Sequence, residues 1–251
     1  MMRRAAVLAV LALAAPAGAE PKSGIHYQAP ETRALQADDF ANPGMLWVER
    51  GEGMWRAADL PGGRSCASCH GNAADSMRAV AARYPAFDGQ AGRVVDLEGR
   101  INLCRTVRAG GLELERESDA LLALTAFVAH QSRGLAVSVR VDGPAQASFE
   151  AGRTLFETRF GQLNLACRHC HVDNAGRMLR GDRISEAMPN GYPLYRLDWQ
   201  KLASLQRRLR TCFAGVRAEP FAYGAQELVD LSLYLAARAN GLAIETPGVR
   251  R

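Results

Sequence analysis

The stretch CRHCH at residues 167–171 decides the fold of this chain, because the same pattern occurs earlier as CASCH at residues 66–70. Both stretches have the spacing C-x-x-C-H, which places two thiols on one turn of backbone. From there the thiols add to the two vinyl groups of one haem, and the adjacent histidine ligates the iron. Two such motifs in one chain favour c-type haem attachment over a disulfide scaffold or a zinc site. We therefore expect two covalently bound haem c groups, attached through Cys66, Cys69, Cys167 and Cys170, with His70 and His171 as the proximal iron ligands.

The N-terminus has the pattern of a secretory signal. Arg3 and Arg4 precede an apolar stretch over residues 5–15, and Ala-Gly-Ala at 17–19 is the small-residue pattern at which signal peptidase cuts. The apolar stretch is too short to cross a bilayer, and no later stretch is long enough to do so. We expect residues 1–19 to be removed as a signal peptide, and the remaining chain to be a periplasmic protein without a membrane span.

Composition excludes some partners. The 251 residues include 31 basic and 26 acidic side chains, and the net charge of +5 falls to about +3 once Arg3 and Arg4 leave with the signal. This balance lacks the dense positive face of a nucleic-acid-binding protein, so no nucleic-acid partner is expected. The hydrophobic fraction of 48% is ordinary for a globular protein, and the length allows one large domain or two of about 100 residues.

The two haem motifs belong to an internal repeat. The haem cysteines recur after 101 residues, and so do the glycines in RGEGMW (50–55) and AGRTLF (151–156). The second half then gains seven residues, after which Tyr-Pro recurs at a shift of 108, from residue 84 to residue 192. At this second shift Cys104 coincides with Cys212, and Arg100 coincides with Arg208. Fixed offsets of this kind indicate an internal duplication.

Apolar periodicity predicts the same helices in both halves. We expect an N-terminal helix over 45–57 and again over 145–158, and a helix leading into the extra cysteine over 93–105 and again over 198–212. Each half then ends in an amphipathic helix, with Gly134 and Gly241 as the predicted C-caps. The apolar positions of these last helices are Leu121, Leu124 and Val128 in the first half, and Leu228, Leu231 and Leu235 in the second.

The predicted fold is therefore mainly α, with two tandem cytochrome c-type domains related by duplication. The segment 135–144 has no helical pattern, and Pro144 suits the start of a new helix. We expect an N-terminal domain over 20–134, a linker over 135–144, and a C-terminal catalytic domain over 145–251.

Methionine is the usual sixth ligand in electron-carrying cytochromes c. Met77 and Met178 repeat, but they follow their histidines by only seven residues, which favours a packing role beside the haem. Met188 has no methionine at its equivalent position, and His130 corresponds to Ala237. Neither can therefore serve both halves.

Cysteine is the stronger candidate for the distal face of each haem. Cys104 and Cys212 lie 38 and 45 residues after the first cysteine of their motifs, which is far enough for the chain to pass over the ring. The pattern favours a cysteine thiolate as distal ligand at both irons. The alternative is a Cys104–Cys212 disulfide, which would bridge the same position of two separate domains.

These residues resemble the SoxA cytochromes of periplasmic sulfur oxidation. The resemblance rests on CASCHG followed by SMRAVAARYPAFDG, on INLCRT, and on QRRLRTCFAG, and it covers nearly the whole mature chain. It implies a haem-dependent L-cysteine S-thiosulfotransferase of the dihaem type. Proteins of that family pair with a small monohaem cytochrome, SoxX. Together they join thiosulfate oxidatively to a cysteine of the SoxYZ carrier, and they pass two electrons to a soluble c-type cytochrome.

The resemblance also assigns residues. It implies Cys104 as the distal ligand of the first haem, and Cys212 as the distal ligand and catalytic residue of the second, carrying a persulfide. The family's substrate arginine falls on Arg208. Elementary chemistry agrees, because Arg208 precedes Cys212 by four residues on one helix face and a guanidinium matches the oxygens of a sulfonate. The alternative is that Arg208 pairs with a haem propionate, since Arg100 holds the same place in the first half.

Two other functions compete with the enzyme. A dihaem periplasmic electron-transfer cytochrome would use methionine ligation, whereas a thiolate lowers the haem potential. A dihaem peroxidase needs distal acid–base residues, and no His, Glu or Gln repeats at a suitable place. If the chain is the enzyme, we expect the substrate to react at the second haem. Three arginines (Arg207, Arg208 and Arg210) surround Cys212, whereas VVDLEG at 94–99, which precedes Cys104, carries two acids that would repel a dianion.

Overall fold

Two helical halves of similar layout make up residues 20–251, which a computed structural model of the chain describes. The signal peptide predicted for residues 1–19 lies outside the described residues. Within residues 20–251, no helix has the length and apolar character needed to span a bilayer. The architecture is mainly α and consists of two tandem copies of one layout, as the repeat predicts.

The first half places its haem motif between a long helix and a short hairpin. Its elements are α1 (Pro30–Ala37), α2 (Met45–Arg56), α3 (Cys66–His70), α4 (Ala73–Ser76), the antiparallel strands β1 (Ala86–Asp88) and β2 (Arg93–Val95), α5 (Leu97–Leu103) and α6 (Asp119–His130).

The second half repeats this order and adds short strands. Its elements are α7 (Gln146–Glu157), α8 (Cys167–His171), the hairpin of β3 (Met178–Leu179) and β4 (Asp182–Arg183), β5 (Leu194–Arg196), β6 (Lys201–Ala203), α9 (Leu205–Gly215), α10 (Gln226–Arg238) and β7 (Gly248–Arg250). The central strand β5 pairs antiparallel with β6 and parallel with β7. The seven extra residues of this half fall in the region of the β3–β4 hairpin.

One helix pair forms the core of each half. Helix α2 packs on α6, and α7 packs on α10. Each pair approaches closely at a glycine, and the two glycines are repeat equivalents. A Cβ atom on Gly51 would lie 2.1 Å from the carbonyl oxygen of Ala123, and one on Gly152 would lie 2.1 Å from that of Asp230.

The predicted helices over 45–57 and 145–158 agree with α2 and α7 to within one residue.

The helices predicted over 93–105 and 198–212 are wrong at their N-termini. The structure has the strands β2 and β6 there, and the helices begin at Leu97 and Leu205. Two buried apolar residues end each strand, so the apolar pattern continues smoothly into the helix that follows. The helix start is set by a cap, because the side chain of Asp96 accepts from Gly99 N and that of Ser204 accepts from Arg207 N.

Residues 135–142 contain no helix, and a 3₁₀ turn, Gly143–Ala145, leads into α7. The segment is anchored at two buried valines and is otherwise mostly exposed. Val137 and Val139 are buried, and Val137 N donates to the carbonyl of Leu242. Gly134 and Gly241 have the left-handed φ values expected of C-caps, +80° and +91°. The predicted caps are nevertheless wrong, because α6 and α10 end at His130 and Arg238, several residues earlier.

The two helices that carry the extra cysteines begin side by side, where the halves meet. Gln206 Nε2 donates to Asp96 Oδ2 at 2.8 Å, and Ser204 N donates to Glu117 Oε1 at 3.2 Å. Arg116 completes the network with a 2.6 Å contact to Asp96. The N-termini of α5 and α9 are therefore held by one set of polar side chains.

Candidate haem sites

The first haem motif faces its predicted distal cysteine directly. Helix α3 is started by Ser65, whose side chain accepts from Ser68 N, and it ends at His70. The Nε2 atom of His70 lies 3.9 Å from Sγ of Cys104. Cys104 begins a π-helical turn, Cys104–Arg108, which extends α5. Such turns are frequent at functional sites, because the wider turn re-aims the side chains that it carries.

The second haem motif fixes the orientation of its proximal histidine. His171 Nδ1 lies 2.7 Å from the carbonyl oxygen of Ser185, so Nδ1 donates and Nε2 is left free as a ligand. Sequence reasoning missed Ser185, because its partner atom is a backbone carbonyl that any residue type provides. His169 is occupied elsewhere, since its Nδ1 accepts a hydrogen bond from Ala166 N and closes the turn of α8.

Both sites fit a haem iron between histidine and cysteine. Metal–nitrogen bonds are about 2.0–2.1 Å and metal–sulfur bonds about 2.3 Å long, so a ligand pair on one metal is separated by roughly 4 Å. The 3.9 Å between His70 and Cys104 matches that separation. All six cysteines are free, which excludes the Cys104–Cys212 disulfide in this structure. In the second half, buried Nη1 of Arg238 has no hydrogen-bond partner among residues 20–251. A haem carboxylate is the kind of group that would satisfy it.

The surroundings of Cys212 favour its thiolate. Desolvation raises the pKa of Cys212, but the contact with His171 and the positive charges of Arg208 and Arg196 outweigh it, so the pKa lies below its usual value. In turn, the charge of Cys212 raises the pKa of Arg208 more than desolvation lowers it. A thiolate is the form of cysteine that binds metal and acts as a nucleophile.

Arg208 and Arg100 differ in what holds them. Arg100 donates to Asp88 Oδ2 at 2.6 Å and forms a salt bridge. Arg208 forms no salt bridge to any residue in the described part of the chain. The repeat equivalence of the two arginines therefore does not extend to their environments.

The other arginines near Cys212 are engaged elsewhere. Arg207 stacks on Trp199 at 4.6 Å and lies 3.8 Å from Glu117, while Arg210 donates to the carbonyl of Phe221. Of the three arginines expected around Cys212, only Arg208 acts on it.

The two acids of VVDLEG do not repel anions from Cys104, contrary to expectation. Asp96 and Glu98 are both bound by Arg116, at 2.6 and 3.2 Å. The structure instead places Arg196, which sequence reasoning missed, close enough for its charge to act on Cys212. Desolvation and the nearby charge of Arg208 both lower the pKa of Arg196. The internal repeat could have identified Arg196, because position 196 is equivalent to position 88 at the shift of 108.

The methionine and histidine alternatives occupy other places. Met77 is partly buried and packs against the apolar cluster that contains Trp55, as expected of a core residue. Met178 is 56% exposed on the β3–β4 hairpin, so other protein side chains do not bury it, and its packing beside the haem stays a prediction. Met188 is buried. His130 lies at the C-terminus of α6 and lines a surface groove that extends from α2 to Ala67.

Comparison with known proteins identifies the family. The SoxA/TsdA cytochrome c domain matches residues 50–137 and again residues 151–244. An L-cysteine S-thiosulfotransferase subunit SoxA from Rhodovulum sulfidophilum is 42% identical over 92% of this chain and 80% of its own length. A protein of the same name from Paracoccus pantotrophus is 41% identical over 91% and 78%. One from Allochromatium vinosum is 32% identical over 92% and 83%.

A solved structure shares the fold. A chain in the crystal structure of SoxXA from P. pantotrophus superposes with a TM-score of 0.89 at 40% identity, covering 92% of this chain and 87% of that one. The duplicated cytochrome c layout, the double match of the domain and the similarity along nine-tenths of the chain lead to one assignment. This chain belongs to the SoxA family of c-type cytochromes.

Proposed function

We propose that this chain is the dihaem subunit of a periplasmic L-cysteine S-thiosulfotransferase and works in complex with a SoxX-type small cytochrome c. The names of its relatives and the likeness to a chain of SoxXA support this assignment. The reaction joins thiosulfate to a cysteine of a SoxYZ-type carrier protein. One S–H bond of the carrier breaks, one S–S bond forms, and a proton and two electrons leave, the electrons passing to a soluble c-type cytochrome.

Each half holds one haem c through its own residues. Cys66 and Cys69 would attach the first haem, and His70 and Cys104 would ligate its iron. The second is held in the same way by Cys167, Cys170, His171 and Cys212. When bound, the haems supply one-electron acceptor chemistry. The protein would contribute a histidine and a cysteine to each iron, and the carbonyl of Ser185 holds the tautomer of His171.

The single observation that carries the site assignment is the contrast between the two distal arginines. Arg208 lies beside Cys212 and has no salt-bridge partner among residues 20–251, whereas Arg100 is neutralised by Asp88. A dianion is therefore attracted to the second half, over 145–251, and not to the first, over 20–134. In this proposal Arg208 binds the sulfonate oxygens of thiosulfate, and Cys212, which carries a persulfide, is the catalytic residue. The first haem stores electrons or stabilises its half.

Removal of the two arginines tests the proposal. Arg208→Ala deletes a charge-assisted contact, typically worth about 1.5–3 kcal/mol, so turnover of thiosulfate with the carrier should fall roughly ten- to a hundredfold. The matched change Arg100→Ala should leave turnover nearly unchanged, because Arg100 already has a partner. The haem spectra of both variants, measured with the SoxX-type cytochrome present, should stay near those of the unmodified protein. Equal losses of activity in the two variants would contradict the assignment of the substrate to the second half.

A further inference from the structure

The two halves differ by a reversal of charge at one repeat position. Strands β1 and β5 are equivalent at the shift of 108, which also relates Arg100 to Arg208. The last residue of β1 is Asp88, and the last residue of β5 is Arg196. Asp88 neutralises Arg100 in the first half, and at the equivalent position of the second half stands Arg196, a second positive charge beside Arg208.

In the first half the result is a closed ion pair. Asp88 is 10% exposed at its side chain and contacts Arg100 at 2.6 Å. The backbone N–H of Ala91 lowers the pKa of Asp88 most, against desolvation, and Gln90 N–H and Arg100 lower it further, so the carboxylate stays charged. An anion approaching Cys104 would have to displace this carboxylate from Arg100.

In the second half no carboxylate closes the pair. The side chain of Arg196 is 12% exposed, and its Nε atom is buried without a hydrogen-bond partner among residues 20–251. The nearest acid, Asp198, reaches it only at 4.0 Å, is half exposed, and is shared with Arg251. The guanidinium carbon of Arg196 lies 5.0 Å from the centroid of the Trp199 ring, which is a cation–π contact.

Two partly buried guanidiniums of like charge raise each other's free energy, and an anion bound between them removes this cost. Planar guanidiniums present paired donors that match the oxygens of a sulfonate or sulfate. We propose that Arg196 is a second substrate-binding residue, which together with Arg208 forms a two-guanidinium site for the oxyanion end of a thiosulfate-type dianion. This inference rests on the proposed function for the identity of the dianion, but the site itself does not depend on the reaction.

Sulfate, an unreactive dianion, tests the site without turnover. Its binding to the haem-loaded protein in complex with its small cytochrome is measured by isothermal titration calorimetry at low ionic strength. Arg196→Gln should weaken binding roughly ten- to a hundredfold, the usual effect of losing one charge-assisted contact. Arg196→Asp, which restores the residue of the first half, should weaken it at least as much, and Arg196→Lys should retain part of it. Arg153→Gln removes an equal charge from the exposed face of α7, where Arg153 pairs with Glu150, and should leave sulfate affinity unchanged.

Turnover supplies an independent readout. With thiosulfate as substrate, Arg196→Gln should raise KM by about the factor by which it weakens sulfate binding, with a smaller effect on kcat. If the unmodified complex binds sulfate through Arg196 but fails to conjugate thiosulfate, the proposed function falls and the anion site stands. Arg196→Gln with unchanged sulfate affinity overturns the inference. So does a variant whose only effect is a shift in the potential of the second haem, because Arg196 would then serve a haem propionate.

Discussion

Cys104 and Cys212 hold equivalent places and face equivalent histidines, yet they stand in different electrostatic surroundings. Arg208 and Arg196 both stabilise the thiolate of Cys212. Beside Cys104, the equivalent positions form the closed pair of Arg100 and Asp88. The duplication therefore preserved the cysteine and changed the charge around it, and this difference is the basis for proposing an anion site in the second half only.

The axial ligands can be tested one at a time. A thiolate donates charge to ferric iron and lowers the haem potential, so Cys104→Met and Cys212→Met should each raise the potential of one haem only. Low-temperature EPR of the oxidised protein should show low-spin histidine–thiolate iron at both sites before mutation. A near-infrared band of methionine-ligated iron at both haems of the unmodified protein would exclude this ligation.

A buried carboxyl between the halves predicts a dependence of stability on pH. Burial raises the pKa of Glu98 to about 8, and Asp96 adds to the rise while Arg116 opposes it. The folded protein then keeps a proton that the unfolded chain releases above its ordinary pKa of 4.5. Stability should therefore fall as pH rises from about 4.5 to about 8, by at most about 1.4 kcal/mol per pH unit.

The variant Glu98→Gln has no proton to bind or release at this position, so this contribution to the pH dependence of stability is lost. The free energy of urea unfolding, measured from pH 5 to pH 9 on the haem-loaded protein, should decline less steeply in Glu98→Gln than in the unmodified protein. If the free energies of unfolding of the variant and of the unmodified protein differ by the same amount at every pH, Glu98 is ionised in the folded protein and the prediction is wrong.

At the scale of elements, the close approach of α2 to α6 depends on a single missing side chain. Gly51→Ala would place Cβ 2.1 Å from Ala123 O and 2.6 Å from Phe127 Cβ, so backbone must move. Overpacking of this kind costs about 1–3 kcal/mol of folding free energy, and urea unfolding followed by circular dichroism should register it. Gly152→Ala should behave alike in α7, where a Cβ would meet Asp230 O at 2.1 Å.

Gly53 provides the control on the same helix. A Cβ there meets no atom within 4 Å, so Gly53→Ala should stabilise the protein slightly, by about 0.5–1 kcal/mol, through the better helix propensity of alanine. Destabilisation by Gly53→Ala equal to that of Gly51→Ala would show that glycine at 51 is not needed for helix contact.

Element boundaries were the least predictable part of the fold. Helices α2 and α7 follow a clear apolar period and were predicted to within one residue. The starts of α5 and α9 were not, because three-residue strands are too short to show a period of two before the helix begins. Their side-chain caps at Asp96 and Ser204 mark the boundary, but capping residues are frequent in loops as well.

At the scale of the molecule, the proposed enzyme must accept two electrons and dock a protein substrate. The chain is structurally similar to a chain of SoxXA, so the partner expected to pass the electrons onward is a small cytochrome. We expect the mature chain, purified from its native host, to elute in size-exclusion chromatography together with a small c-type cytochrome at constant ratio. Light scattering should give the mass of that complex. A lone chain that is fully active towards the carrier protein would rule this out.

The duplication and the helical class were readable from the residues, because a repeat compares the chain with itself. Haem attachment through the four motif cysteines and ligation by the distal cysteines stay predictions, which rest on a local motif and on the same repeat. The charge partners were not readable from the residues. Whether Arg100 and Arg208 are neutralised depends on Asp88 and Arg196, which lie 12 residues earlier on a hairpin strand that folds back over the helix. A salt bridge depends on the distance between two side chains in the folded protein, and the sequence alone does not give that distance.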